Sequence, residues 1–137
     1  MKAGDAIPEL VRRPTAAQVF QFSAVTWNAH RIHYDLEHAR EEGFSGVVVQ
    51  AHLHGCFLAQ AALAASGDGA RLERLSWQNR GPAFVGDTLT VTGLVTGAGP
   101  ARMELELEER NQRGELCVKG RATVAMPNQD AADDDAR

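Results

Sequence analysis

The feature that most constrains the fold of this chain is an apolar segment near its middle, residues 52–66. The segment is rich in alanine and leucine, which favour helix, and Gly67 directly after it is a typical helix stop. Apolar side chains occupy nearly the whole circumference of this helix, and a helix of that kind is normally buried. We therefore expect a buried helix without a solvated face. Its apolar residues are Leu53, Phe57, Leu58, Ala61, Ala62, Leu63 and Ala65.

The chain after this helix is typical of antiparallel strands, which we predict over residues 72–79, 88–96, 103–108 and 116–124. In the last three, apolar and polar residues alternate, so each strand has one buried and one solvated face. Turn-forming residues separate the strands. One long buried helix followed by an antiparallel meander predicts the α+β class, with a strongly curved antiparallel sheet wrapped around the helix.

Shorter elements are predicted before the long helix. Gln18–Ser23 contains three large apolar residues and indicates a short strand. Leu36–Glu42 indicates a short helix, with Asp35 as its N-cap and Gly43 as its stop. No linker or repeat divides the chain, so we expect residues 1–127 to form a single domain.

The composition excludes several classes of protein. Residues 128–137 are acidic and almost free of large apolar groups, which predicts a disordered tail. A formal net charge of -4 argues against a nucleic-acid-binding surface. We expect no membrane span and no secretory signal, because the chain has no long apolar stretch. Cys56 and Cys117 are interpreted as reduced core thiols of a cytoplasmic protein.

The densest group of polar side chains lies between Asn28 and Asp35, and it includes His30, Arg31 and His33. Histidine is the usual group for proton transfer near neutral pH, which makes this segment a candidate catalytic site. A solvated loop with helix-capping residues explains the same pattern. A metal site made by the four histidines of the two segments is a further alternative, but their spacing is not typical of zinc ligands, and we expect no metal. Those histidines are His30, His33, His52 and His54.

The start of the long helix is a second candidate site. Backbone N–H groups at a helix N-terminus lack intrahelical partners and favour negative charge, so they can polarise a carbonyl. Gln50, Ala51 and His52 occupy this junction. His52 and His54 are equally explained as ordinary junction residues. Cys56 is set aside as a nucleophile, because burial in an apolar helix would raise its pKa.

The segment Asn28-x-His30-Arg31-Ile32-His33-x-Asp35 resembles the motif of the MaoC-type hydratases and dehydratases of the hotdog superfamily. It is most similar to the subgroup of mesaconyl-C4-CoA (3-methylfumaryl-CoA) hydratases and hydroxyacyl-thioester dehydratases type 2. The likeness extends to Gly43–Leu53 and Leu75–Asp87, and covers most of residues 18–125. It implies a hotdog fold and the reversible hydration of an enoyl-thioester.

The resemblance also implies roles for individual residues. His33 matches the catalytic histidine, which acts as a base on water. Asn28 stands where most members have an aspartate; an amide orients water by hydrogen bonds but does not accept a proton at neutral pH. Ala51 stands where a glycine N–H polarises the thioester carbonyl, and Gln50 replaces a frequent histidine. No metal or organic cofactor is implied.

The substrate class follows as an acyl-CoA or acyl-carrier-protein thioester. Arg31 and Arg80 are candidates for pairing with a substrate carboxylate or phosphate, with structural ion pairing or plain solvation as alternatives. Similar proteins of the subgroup carry two hotdog halves in one chain. We therefore expect this chain to form a homodimer or higher homo-oligomer with sites near the interface, a separate partner subunit being the alternative.

Two other functions are compatible with the sequence. His54-Gly55 is similar to the helix entry of small hotdog thioesterases, but those usually carry an acidic residue in or near the helix, and residues 52–66 contain none. A non-catalytic acyl-binding partner is the third hypothesis, because Asn28 and Gln50 depart from the usual motif.

Overall fold

A computed structural model describes residues 1–127, and the predicted acidic tail at 128–137 lies outside the described residues. Within them the chain forms three α-helices, five β-strands and one 3-10 turn. The helices are α1 (Ala16–Thr26), α2 (Leu36–Glu41) and α3 (Ala51–Ser66), and the 3-10 turn is Arg31–His33. The strands are β1 (Leu10–Arg12), β2 (Arg71–Asn79), β3 (Leu89–Ala98), β4 (Arg102–Arg110) and β5 (Leu116–Ala125).

The five strands form one antiparallel sheet in the order β1-β3-β4-β5-β2. Helix α3 contacts all five strands, so the sheet wraps around it, and the expected α+β hotdog fold is confirmed. The predicted apolar rows are buried against the helix; Leu89, Val91, Leu105 and Leu107 are among the most buried residues. Among residues 1–127, no helix is both long and apolar enough to cross a membrane.

Helix α3 approaches β2 very closely at its first turns. A Cβ atom added to Gly55 would lie 2.7 Å from ring atoms of Trp77, so only glycine permits this contact. The Trp77 indole Nε1–H donates to the carbonyl of Ala51 at 3.1 Å. The start of α3 is therefore held at a defined position over the sheet.

The sheet leaves one stripe of α3 uncovered, which corrects two expectations. Four residues spaced at intervals of four are exposed along the helix. The expectation of a fully buried helix was therefore wrong, because a single sheet covers one side of a helix and not its whole circumference. Cys56 lies on this stripe and is exposed, so its interpretation as a core thiol was also wrong, whereas Cys117 is buried as expected. The exposed residues are His52, Cys56, Gln60 and Ala64.

The predicted strand at Gln18–Ser23 was wrong, because these residues belong to α1. Thr15 caps this helix by accepting a hydrogen bond from the backbone N–H of Gln18 at 3.1 Å. Val19 and Ser23 are the buried residues of α1, and their spacing of four places them on one helical face. The aromatic content of a short window favoured a strand, and the cap together with burial of this face outweighed it.

The second predicted short helix is confirmed as α2. Asp35 caps it by accepting from the N–H of His38 at 3.1 Å. Gly43 follows with a φ of 94°, a left-handed conformation in which glycine is favoured.

Candidate active site

The segment Asn28–Asp35 forms a compact turn between α1 and α2. Trp27 ends α1 in a left-handed conformation with a φ of 54°, and the chain then reverses. Asn28 Oδ1 accepts from the N–H of His30 at 3.3 Å, and His30 Nδ1 accepts from the N–H of Ile32 at 3.4 Å. The Tyr34 hydroxyl donates to the carbonyl of Ala29 at 2.8 Å. These local bonds explain why so polar a segment holds one conformation.

His33 is the buried residue of this turn, with 7% of its surface exposed. Its Nδ1 lies 2.6 Å from the carbonyl oxygen of Val48. A carbonyl oxygen only accepts, so Nδ1 carries the proton, and the neutral ring has its lone pair on Nε2. Burial lowers the pKa of His33 below its usual value, and the charge of His30 adds to this effect, while the bond to Val48 opposes it. His33 is therefore suited to act as a neutral base through Nε2.

The acceptor of His33 is itself held by two other segments. The N–H of Val48 donates to the carbonyl of Ile32 at 2.9 Å, which closes a loop with the 3-10 turn. The N–H of Val49 donates to the carbonyl of Ala83 at 2.9 Å. The short stretch that leads into α3 thus positions His33 through Val48, which lies three residues before Ala51.

Gln50 connects this stretch to α1. It is completely buried, and its Nε2 donates to the carbonyl of Val19 at 2.6 Å and to Ser23 Oγ at 2.8 Å. Its Oε1 is buried and has no hydrogen-bond partner among residues 1–127. Gln50 stands at the N-cap position of α3 without capping the helix through its side chain. In this arrangement it positions α1 against the helix start.

The amides of Ala51 and His52 are the first two of α3. Neither has a hydrogen-bond acceptor among the described residues, whereas the N–H groups of Leu53 and His54 both donate to the Gln50 carbonyl. Free amides at the positive end of a helix of this length attract a carbonyl oxygen or a developing negative charge. The His52 side chain is exposed and lies edge-on to Trp77, with ring centroids 5.8 Å apart.

The two candidate arginines do not join this cluster. Arg31 donates to Asp35 Oδ2 at 2.8 Å, and this ion pair lowers the pKa of Asp35. Arg80 follows the end of β2 and donates to Gln78 Oε1 at 2.9 Å. It borders a surface cavity of about 430 Å³ on the sheet, together with Lys119 and Arg121. The structure thus connects His33, through Val48, to the stretch that ends at Gln50 and the start of α3, whereas the side-chain hydrogen bonds of both arginines go elsewhere.

The four-histidine metal hypothesis is contradicted by the geometry. His33 bonds to Val48, His54 is buried against Glu109, and His52 packs on Trp77. A different group converges instead: one nitrogen each from His30 and His38 and one oxygen of Glu42 lie within 4.8 Å of one another. The spacing of His38 and Glu42, four residues apart within the predicted helix Leu36–Glu42, could have indicated part of this cluster.

The buried pair His54 and Glu109 is a second feature that sequence reasoning missed. Nδ1 of His54 and Oε1 of Glu109 are 2.5 Å apart, and both side chains are almost completely buried. The alternation along β4 could have predicted that Glu109 is buried, because this residue continues the inward row of Met103, Leu105 and Leu107. Glu109 was overlooked because β4 contains several other glutamates.

Comparisons with known proteins show the family and the fold of this chain. The model of the family "Hydroxyacyl-thioester dehydratase type 2" matches residues 3–85, which include the Asn28–Asp35 turn and all of α3. A mesaconyl-C(4)-CoA hydratase from Chloroflexus aurantiacus is 48% identical over 50 residues, which is 36% of this chain and 18% of that protein. This chain therefore matches only a small part of the length of that relative.

Solved structures show the same fold over nearly the whole chain. An (R)-hydratase from A. caviae involved in PHA biosynthesis is 27% identical, with a TM-score of 0.84 over 93% of this chain and 98% of its own. A chain of the ChsH1-ChsH2 complex from Mycobacterium tuberculosis is 19% identical to this chain. The two superpose with a TM-score of 0.83 over 91% of this chain and 98% of the chain in the complex. The resemblance inferred from the motif is confirmed, and this chain belongs to the hydroxyacyl-thioester dehydratase type 2 family.

Proposed function

We propose that this chain catalyses the reversible addition of water to the double bond of an enoyl-CoA or enoyl-acyl-carrier thioester, with His33 as the base. The observation that carries the proposal is the hydrogen bond from His33 Nδ1 to Val48, which leaves a lone pair on Nε2. Family membership and the likeness to hydratases point to the same reaction class. No step of this reaction requires a metal or an organic cofactor.

The chemistry needs a polarised thioester carbonyl as well as a base. His33 Nε2 takes a proton from the attacking water, and the hydroxide adds at the β-carbon while negative charge builds on the carbonyl oxygen. The free amides of Ala51 and His52 are suited to receive that charge, which is released when the protonated His33 returns the proton to the α-carbon. Alanine in place of glycine preserves the donor, because the N–H belongs to the backbone. The start of α3 is anchored by Trp77 and Gln50, so these amides are preorganised.

Asn28 is proposed to orient the attacking water. Its Oδ1 accepts from the N–H of His30, and its NH₂ group donates to no residue among 1–127, so this half-buried side chain has donors for a ligand. An NH₂ group donates to a water oxygen and thereby directs the water's proton toward His33. Arg31 is proposed to stabilise the turn through Asp35 rather than to contact substrate.

A second copy of the chain is proposed to complete the site. Within residues 1–127, β2 is hydrogen-bonded on one side only, to β5, and it presents a free edge. Five surface cavities on these residues are lined by residues other than His33, Asn28 and Ala51. A homodimer in which the 1–127 domain pairs through β2 covers this edge and encloses the acyl chain. The ChsH1-ChsH2 neighbour is a complex of two different chains, so a distinct partner subunit is the alternative.

The deciding experiment follows the absorbance of the enoyl chromophore of crotonyl-CoA and mesaconyl-C4-CoA, with purified protein and a His33→Asn variant. Asparagine keeps a donor near the position of Nδ1 for the Val48 carbonyl but has no basic group. We expect loss of the chromophore with the thioester intact, reduced about 10²- to 10⁴-fold in the variant. Lys119→Ala, an exposed change on β5, serves as the control with unchanged rate.

Other outcomes contradict the proposal and separate its alternatives. Release of free thiol with an unchanged chromophore would indicate a thioesterase. Binding of the acyl-CoA without either reaction, in protein shown to be dimeric by light scattering, would indicate a non-catalytic acyl-binding subunit.

A further inference from the structure

We propose that His30, His38 and Glu42 form a binding site for a divalent transition-metal ion, with Zn²⁺ as the best match. One ligand atom from each of the three residues lies within 4.8 Å of the other two. The Nε2 atom of His38 is 2.9 Å from one carboxylate oxygen of Glu42, and Nε2 of His30 is 3.9 Å from the other. Small side-chain movements would bring all three atoms to about 2.0–2.2 Å from a common ion.

The backbone holds these three residues on two rigid segments. His38 lies in α2 and Glu42 caps its C-terminal end, so their spacing of four places both side chains on one helical face. His30 is the N-cap of the 3-10 turn. Arg31 bridges the turn to Asp35, the N-cap of α2, which fixes the two segments relative to each other.

The two ring nitrogens of His38 have different surroundings. Nε2 lies 2.9 Å from Oε1 of Glu42, whereas Nδ1 is buried with no hydrogen-bond partner among residues 1–127. A metal on Nε2 moves the ring proton to Nδ1, where Glu41 Oε2 lies 3.8 Å away. Metal-bound histidines are commonly oriented by a carboxylate in this way. A small movement of the exposed Glu41 side chain would then bring its carboxylate within hydrogen-bonding distance of the Nδ1 proton.

Metal binding would also change the hydrogen bonding of the His30 ring. Its Nδ1 accepts a long hydrogen bond of 3.4 Å from the N–H of Ile32. Ligation through Nε2 places the proton on Nδ1 and removes this bond, which is weak at that length.

Two imidazoles and one carboxylate suit zinc and its neighbours in the first transition row rather than Ca²⁺ or Mg²⁺. Three protein ligands leave the fourth position of a tetrahedral ion to water.

The site would act as a structural clamp on the turn that carries His33. The rings of His30 and His33 are 6.0 Å apart by centroid, and the ion would tie this turn to α2. The proposal is independent of the hydration chemistry, because no step of that reaction passes through the ion and metal binding can be measured without substrate.

The test is a calorimetric titration of ZnCl₂ into chelator-treated, full-length protein. We expect one ion per chain, and binding weakened at least about tenfold in His38→Ala and in Glu42→Gln. Since zinc bound to the native state stabilises it, a raised unfolding midpoint that disappears in the same variants is the second expected readout. Both positions are partly or fully exposed, and circular dichroism verifies that the variants fold.

A matched control addresses the other pair of zinc-binding side chains at the surface. His52 and Cys56 lie four residues apart on the exposed stripe of α3. The double variant His52→Ala/Cys56→Ser should bind zinc as the parent does, and the Co²⁺ complex of the parent should lack a thiolate charge-transfer band. Binding that is lost in this control, binding that survives in His38→Ala and Glu42→Gln, or no binding at all would overturn the proposal.

Discussion

Nδ1 of His54, on the long central helix, lies 2.5 Å from Oε1 of Glu109, on the strand beneath it, with both residues inside the apolar core. This pair joins α3 to β4 in the middle of the domain. The second carboxylate oxygen of Glu109 is buried and has no partner among residues 1–127. The core therefore contains a polar contact whose two members depend on each other.

Removing one member of this pair is expected to destabilise the fold strongly. Glu109→Leu leaves the His54 N–H buried without an acceptor, and should lower the free energy of unfolding by about 1–3 kcal/mol. Glu109→Gln keeps an acceptor oxygen and should cost clearly less. Urea unfolding, extended to His54→Leu and the double variant, measures the coupling between the two residues. A Glu109→Leu protein within about 0.5 kcal/mol of the parent would show that the pair contributes little.

The acid limb of the proposed hydratase activity should lie below pH 6.5, the ordinary pKa of histidine. Burial lowers the pKa of His33, so the ring stays neutral and basic to lower pH than an exposed histidine does. The profile of kcat/KM against pH reports the free enzyme, and an NMR titration of the His33 ring assigns the group. A midpoint at or above 6.5 for either measurement contradicts the structure.

The same shift has a consequence for stability, with a defined sign. Between the lowered pKa of folded His33 and 6.5, the unfolded chain binds a proton that the folded chain does not. This contribution to stability is therefore complete above pH 6.5 and is lost as the pH falls toward the folded pKa. The unfolding free energy of the parent relative to that of His33→Asn, measured from pH 7.5 to 5, should therefore decrease as the pH falls. A difference that does not vary with pH would count against the assignment.

Gly120→Ala should destabilise the domain by about 1–3 kcal/mol through overpacking. The added Cβ would lie 2.8 Å from the carbonyl oxygen of Ser76 and 2.9 Å from a methyl of Leu58. Strands β2 and β5 cannot separate to relieve these contacts, because Gly120 pairs with Trp77 in the hydrogen-bonded ladder between them. Gly99→Ala is the matched control, since its nearest atom would be 3.9 Å away. Equal thermal midpoints for the two variants would contradict the close packing described here.

The two cysteines should differ sharply in reactivity. Cys117 is buried, and burial together with the nearby charge of Glu109 raises its pKa to about 11, so little thiolate forms at neutral pH. Cys56 is exposed on α3. Labelling of dilute native protein with a chromogenic disulfide should modify one thiol rapidly, and Cys56→Ser should abolish that phase. A fast phase that survives in Cys56→Ser would place the reactive thiol at Cys117, against the structure.

Much of the fold could be predicted from local patterns. The central helix, the four long strands and α2 with its Asp35 cap depend on periodicity and on residues adjacent in the chain, so the sequence determined them. The Asn28–Asp35 motif likewise identified the family and the turn in which His33 lies. The helix α1 was missed, because the decisive contacts of Val19 and Ser23 are with Gln50, far along the chain.

Only the tertiary structure decided which side chains meet. Period two places Glu109 on the inward face of its strand, but its partner His54 lies 55 residues earlier, and their contact depends on how α3 crosses the sheet. The exposure of Cys56 follows from the side of α3 that the sheet leaves open. His30, His38 and Glu42 converge because the turn that carries His33 folds back on α2. Local propensity acts over one or two turns of chain, whereas these contacts depend on packing between elements distant in sequence, and that packing sets the chemistry of the site.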